Sequence, residues 1–91
     1  VITNAPGPGP DDEIDYDGPV SPYRQLAQIL RARIDRGDWA PGRAIPSEAR
    51  LMQEYGLARS TVRRSVKLLV EAGVVEVVPQ RGTYVVDRSG E

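Results

Sequence analysis

The sequence contains no cysteine and no histidine. The first absence excludes disulfides and thiolate metal sites and suits a reducing compartment. The second removes the commonest general base and the commonest metal ligand. No apolar run approaches the roughly 20 residues of a membrane-spanning helix. The N-terminus has neither the basic nor the apolar region of a signal peptide. The expectation is therefore a cytoplasmic chain with no metal, no cofactor and no membrane partner. There is also no glycine loop of the kind that cradles phosphate, and there are too few residues for a closed pocket. An enzyme is accordingly the poorest of the available readings. Val1 in place of a start methionine implies a chain that is processed, trimmed or cut from something longer.

What is present is unevenly distributed. Ninety-one residues allow one domain at most. Residues 1–20 carry Asp11, Asp12, Glu13, Asp15 and Asp17 and no base, whereas residues 21–91 carry all twelve bases against eight acids. The net charge of −1 thus conceals an acidic leader and a basic remainder. Pro6, Pro8, Pro10 and Pro19, with Gly7, Gly9 and Gly18 between them, leave residues 1–20 too few apolar groups to offset their ordering entropy. This tail is expected to be disordered. The acidic tail could fold back over the basic face and compete with a polyanion; a solvated linker is the plainer reading. The domain is then residues 21–87, with 88–91 frayed. A core that small is marginal unless its helices pack well or the chain oligomerises.

Within the domain, Ser21-Pro22 reads as the start of a first helix, with Ser21 able to cap and Pro22 suited to the first turn. Tyr23, Leu26, Ala27, Leu30 and Ile34 then recur at helical spacing, and Gly37 is a stop. Pro41-Gly42 marks a turn, and Arg43 to Ile45 can pair briefly as a strand. A second helix is expected from about Ser47 to Tyr55, with Ser47 as its cap, Glu48 in its first turn and Gly56 at its end. Leu57 and Ala58 make a tight turn. A third helix follows over about 59–72, with Val62, Val66, Leu69 and Val70 on its apolar stripe. Residues 74–78 and 83–87 read as two strands around a Pro79–Gly82 loop. The fold class is α+β: a winged helix-turn-helix of three helices and a C-terminal β-hairpin wing.

That order points to duplex DNA as the ligand. Arg59, Arg63 and Lys67 are four residues apart and line one ridge of the third helix, with Ser60 and Arg64 on the next. Arg59 can donate two parallel hydrogen bonds to a guanine. Ser60 and Thr61 can reach phosphates or base edges, and Arg63 can do either. Arg64 and Lys67 are phosphate contacts or merely solvated. Ser47 is first a cap and second a phosphate donor, and Arg50 is a phosphate clamp or an ordinary surface residue. At the hairpin tip, Gln80, Arg81, Gly82 and Thr83 form the wing contact. Gly82 permits a close backbone approach, and Arg81 suits the negative potential of the minor groove. Helix 59–72 would enter the major groove and the 79–83 wing the minor groove. The alternatives are a winged helix that binds a protein and a nonspecific DNA binder.

The chain resembles the winged-helix DNA-binding domain of the GntR family of bacterial transcription regulators. The resemblance rests on Pro22-Tyr23-Arg24-Gln25-Leu26, Ile34 with Gly37, and Pro41-Gly42. It continues through Ile45-Pro46-Ser47-Glu48, Leu51, Tyr55-Gly56, Arg59-Ser60-Thr61-Val62-Arg63, Gly73 and Arg81-Gly82-Thr83-Tyr84-Val85. It implies a regulator, most often a repressor, that binds an operator, usually as a dimer on an inverted repeat. Arg59, Thr61 and Arg63 would then read or clamp the major groove, with Arg81-Gly82 in the minor groove. Four features depart from the family pattern. Ala58 stands where a Ser or Thr cap is usual, Ala49 where many members place an arginine, and Gln80 where a wing glycine is usual. The sequence ends shortly after residue 86 without the family's effector domain, so either an excised domain or a short form without a ligand sensor is expected, with no small-molecule site evident. A weak homodimer would need exposed apolar groups, for which Leu68 and one of Val77 and Val78 are the candidates.

Overall fold

A computed structural model of the protein describes residues 8–87. Pro22 opens the first helix, α1 (Pro22–Arg36), where its missing N–H removes no hydrogen bond. Ser21 has the extended backbone of a cap, but its hydroxyl makes no cap bond, contrary to expectation. It interacts instead with the Tyr23 phenol. At the other end Gly37 takes φ +95°, and its N–H donates to the Arg33 and Ile34 carbonyls. A left-handed residue closing a helix this way favours glycine. Leu26, Ala27 and Leu30 are buried as their spacing requires, with Tyr23 and Ile34 half-buried. Gln25 and Ile29 are buried too, so the covered face is broader than the apolar stripe.

Helix α2 (Glu48–Tyr55) starts where the Ser47 hydroxyl accepts the Arg50 N–H at 3.2 Å. It ends at Gly56. Leu57 is buried in the turn that follows, and α3 (Arg59–Glu71) begins after Ala58, which supplies no side-chain cap. Val62, Ser65 and Leu69 are buried on α3. Two assignments of its faces are corrected. Val70 was expected on the buried stripe but is 39 % exposed, and Leu68, expected outside, packs against the core. The two residues flank the stripe on opposite sides. Leu68 falls in the seam with α1, whereas Val70 falls on the side facing the wing.

Strands β1 (Val75–Val78) and β2 (Gly82–Val85) pair antiparallel, with Val75 opposite Val85 and Val78 opposite Gly82. The expected pairing near Arg43 is present. Ala44 bridges Tyr84, the Ile45 N–H donates to Thr83, and the Val85 N–H donates to Arg43. Leu26, Leu30, Ile45, Leu51, Leu57, Val62, Leu69, Val75 and Val85 form one cluster to which every element contributes. Both α1 and α2 pack on α3, and α3 packs on β1. The Ser65 hydroxyl, fully buried, donates toward the Tyr23 carbonyl at 2.8 Å and the Thr61 carbonyl at 3.0 Å. A buried polar group on α3 is thereby satisfied by α1.

The tail departs from expectation. Of the expected disordered residues 1–20, residues 1–7 lie outside the described residues, as do 88–91 at the other end. Residues 8–20 contain no helix or strand but lie against the domain. Ile14 packs on the core cluster. The buried Gln25 amide accepts from the Asp15 N–H at 2.8 Å and donates to the Asp15 and Val20 carbonyls at 2.8 and 2.6 Å. The Tyr16 hydroxyl reaches the Tyr55 and Gly56 carbonyls, and Asp11 pairs with Arg36. Composition does not disclose these contacts, because they are a handful of specific anchors rather than an apolar run.

Candidate nucleic-acid interface

Because α1 and α2 both rest on α3, one face of α3 stays open beside the wing. The resulting groove is lined by Ser47 and Glu48 from the start of α2, by Arg59, Arg63 and Lys67 from α3, and by Gln80, Arg81, Gly82 and Thr83 from the wing. Eight of the twelve residues expected to contact DNA are thus brought to one concave surface. The other four lie outside its lining. Ser60 is exposed and Thr61 half-buried at the start of α3. Arg50 is exposed on α2. Arg64 turns toward α1, where its guanidinium lies 4.0 Å from the centre of the Tyr23 ring. That is a cation–π contact, and Arg64 remains exposed beside it.

Glu48 is the groove residue whose role the sequence did not disclose. One carboxylate oxygen accepts from Arg59 Nη1 at 2.7 Å, and the other accepts from Arg63 Nε at 2.9 Å. The Arg63 hydrogen bond, reinforced by the one from Arg59, holds the Glu48 carboxyl below the usual range against the opposing effect of desolvation. Glu48 is therefore an ionised clasp across two arginines of the groove. Its position opposite a ridge spaced by four was legible only as a favourable first-turn acid. The signal that could have found it is an acid at the start of the helix preceding a basic one. Tyr23, half-buried beside the site, has its phenol pKa lowered, chiefly by the Arg24 hydrogen bond and also by the nearby Arg24 and Arg64 charges.

The wing tip is a tight turn closed by the Arg81 N–H on the Val78 carbonyl at 3.0 Å. Pro79 precedes Gln80, which sits at φ +66°, the one non-glycine residue with positive φ among those described. A turn of this pattern asks for glycine at that place. Gly82 follows at φ +132°, a conformation that also favours glycine. Arg81 is presented, exposed, between two unusual backbone positions.

None of residues 8–20 lines this groove. Among the described residues Asp11 pairs with Arg36 at the far end of α1, and no acid of residues 8–20 pairs with Arg59, Arg63, Arg64, Lys67 or Arg81. The anchors of residues 8–20 seat that segment along α1 and at the end of α2. Among the described residues no group of three acids could hold a metal, and no helix is long and apolar enough to cross a membrane.

The family model for bacterial regulatory proteins of the gntR family matches residues 22–85, which is most of the chain and every helix and strand of the fold. The chain belongs to the GntR family. The GntR relative MngR of Escherichia coli, a mannosyl-D-glycerate transport/metabolism system repressor, is 44 % identical over 63 residues, covering 69 % of this chain and 26 % of that protein. The histidine utilization repressor of Pseudomonas putida is 32 % identical over 74 residues, covering 81 % of this chain and 30 % of that protein. The chain thus spans between a quarter and a third of the length of these GntR relatives. Among solved structures, the DNA-binding domain of AraR in complex with an operator superposes with a TM-score of 0.72 at 33 % identity, over 81 % of this chain and 95 % of that one. The match extends the GntR fold over all three helices and the wing. Within that frame Ala58, Ala49 and Gln80 stand as the sequence indicated: Ala58 offers no cap, Ala49 lines the groove without a charge, and Gln80 carries the positive φ.

Proposed function

We propose that the chain is a sequence-specific binder of duplex DNA that regulates transcription, as a repressor. The observation that carries the proposal is the groove in which Arg59, Arg63 and Lys67 of α3, Ser47 of α2 and the Gln80–Thr83 wing tip converge. α3 would lie in the major groove with Arg59 and Arg63 at base edges, and Arg81 with Gly82 would enter the minor groove. Lys67 and Ser47 fit phosphates, and Ser60, Thr61 and Arg50 sit at the rim, within reach of the backbone. Arg64 acts through its stack on Tyr23, which fixes α3 against α1 at the edge of the site. Family membership supports this reading, since the relatives named above are transcription repressors and AraR is seen on its operator. No catalytic role is assigned to any residue, and the chain is placed in the cytoplasm with the nucleoid DNA. We place residues 21–87 as the DNA-binding unit.

With roughly four to six phosphate contacts per copy, the logarithm of affinity should fall with the logarithm of salt at a slope of about −4 to −5. One module alone covers limited DNA surface, so two copies on an inverted repeat would gain by effective concentration. Leu68 packs on the core, which leaves Val77, 59 % exposed at the margin of the groove, as the apolar candidate for a weak contact between copies.

The test is selection from a random duplex pool by the purified chain, followed by sequencing of the enriched DNA. An inverted repeat is expected. A single half-site would give specific recognition by one copy. The absence of any enrichment, with salt-sensitive binding of every duplex, would defeat the specific reading. Arg59→Ala should then relax the preference at one base pair, whereas Lys67→Ala should weaken all duplexes alike and reduce the salt slope by about one.

A further inference from the structure

We infer that residues 8–20 form a strap that braces the elbow between α2 and α3, with Tyr16 as a positioning residue for the recognition helix. The inference rests on the DNA-recognition reading above, because the elbow sets how α3 is presented. The Tyr16 hydroxyl lies 3.2 Å from the Tyr55 carbonyl and 2.9 Å from the Gly56 carbonyl. One O–H is thus shared between two acceptors at the C-terminal end of α2, where carbonyls lack intrahelical donors. Gly56 is the left-handed residue of the helix-turn-helix elbow, at φ +67°. The Gly56 and Leu57 N–H groups both donate back to Met52, at 2.8 and 3.2 Å. Beyond Leu57 only Ala58 separates the elbow from Arg59.

The elbow is otherwise held by the buried Leu57 side chain and by the Glu48 pair with Arg59. Ala58 provides no side-chain cap for α3, so the backbone N–H groups at the start of that helix gain nothing from the residue before it. The same end of α2 is also held by Arg33, whose Nη1 donates to the Tyr55 hydroxyl at 2.9 Å and pairs with Glu54 at 3.1 Å. The strap that delivers Tyr16 is itself anchored on both sides of it. Ile14 and Asp15 hold it before, through the core cluster and Gln25, and Val20 holds it after, through the same Gln25 amide. The Tyr16 ring is 60 % exposed, so the hydroxyl, and not apolar burial, is what the residue contributes. Five acids travel with the strap, and its seat keeps them away from the groove that would face phosphates. The pieces make one device: a tethered hydroxyl closes α2 and fixes the direction in which α3 leaves it.

The test uses the full chain with Tyr16→Phe, which deletes the hydroxyl and keeps the ring. Two readouts are taken well below the thermal midpoint. The first is amide hydrogen exchange. The Gly56 and Leu57 amides should exchange about fivefold faster, the value of one net hydrogen bond, while the Leu30 amide in α1 is unchanged. The second is affinity for the duplex enriched by the wild-type chain, compared with affinity for a random-sequence duplex. Enriched-duplex affinity should fall by about two- to fivefold and random-duplex affinity should stay the same, since nonspecific phosphate contacts tolerate small changes in the direction of α3 that base contacts do not. Unchanged exchange at Gly56 and Leu57 overturns the brace. Faster exchange with an unchanged affinity ratio overturns the positioning role and leaves a clamp that serves stability alone. If the wild-type chain enriches no duplex, the recognition reading fails and the positioning role with it, and the exchange readout still decides separately whether the strap holds the elbow.

Discussion

Replacing Glu48 by glutamine keeps the size of the side chain and removes half of what it does in the groove. The carboxylate serves Arg59 with one oxygen and Arg63 with the other. A glutamine has a single acceptor oxygen and an NH2 that repels a guanidinium, so one arginine loses its partner and the other keeps a weaker, neutral one. The cost in stability is small. Arg59 and Arg63 are 49 % and 65 % exposed and Glu48 34 %, and exposed pairs are worth about 0.2–1 kcal/mol each. A loss of about 1 kcal/mol or less should lower the thermal midpoint by a few degrees. The larger effect is on recognition. An arginine bidentate to guanine supplies roughly 1–3 kcal/mol of discrimination, and it does so only if its guanidinium plane is held. Loosening two such groups should cost about 1 kcal/mol, a fall of about fivefold in the preference for the enriched duplex over a random one. The random duplex should meanwhile bind more tightly, because a negative charge facing the phosphates has gone. Competition binding at two salt concentrations measures both quantities. An unchanged preference, with random-duplex binding unchanged or weaker, would refute the reasoning and make Glu48 a bystander. The sign with pH follows from the lowered Glu48 pKa. The clasp is fully present above the unfolded-state value of about 4.5 and is lost only as pH falls through the lower folded value. Preference should therefore be flat between pH 8 and about pH 6 in the wild-type chain.

Other perturbations have equally direct readouts. Gln80→Gly removes a side chain from a left-handed position at φ +66° and should raise stability by about 1 kcal/mol, which urea unfolding would register as a higher midpoint at unchanged slope. A lower midpoint would mean that Gln80 makes a contact worth more than its strain. Ala58→Ser supplies the cap that α3 lacks and should add about 1 kcal/mol; a calorimetric midpoint that fails to rise would show that the α3 start has no free N–H to satisfy. Asp38 is held far below the usual carboxylate range, first by the Arg36 hydrogen bond and then by Arg33. Its contribution is present above the unfolded value near 3.9 and fades as pH falls through the folded one. Asp38→Asn should accordingly destabilise at pH 7 and converge on the wild-type midpoint in acid. A gap independent of pH would exclude the charge as its cause.

The order of elements was legible in the chain because each boundary carries its own local chemistry. Pro22 opens a helix, Ser47 caps one, Gly37 and Gly56 close helices in the left-handed conformation, and Pro79 with Gly82 brackets a hairpin. Period and punctuation are properties of neighbours in sequence, and they fixed three helices, a tight turn and a wing without reference to anything distant. The spacing of Arg59, Arg63 and Lys67 likewise placed them on one ridge, and that ridge does line the groove. What required the tertiary structure was every pairing between residues far apart in the chain. Glu48 meets Arg63 across 15 positions, Ser65 meets the Tyr23 carbonyl across 42, and Tyr16 meets the Gly56 carbonyl across 40. Such contacts depend on how helices cross, which no local pattern encodes. The same holds for the two flanks of α3, where Leu68 is covered and Val70 bare because α1 packs on one side and the groove opens on the other. It holds too for the N-terminal segment, whose composition promises nothing to a core. A buried glutamine and one hydroxyl seat it, and whether a polar side chain finds its partner is decided only when the chain has folded.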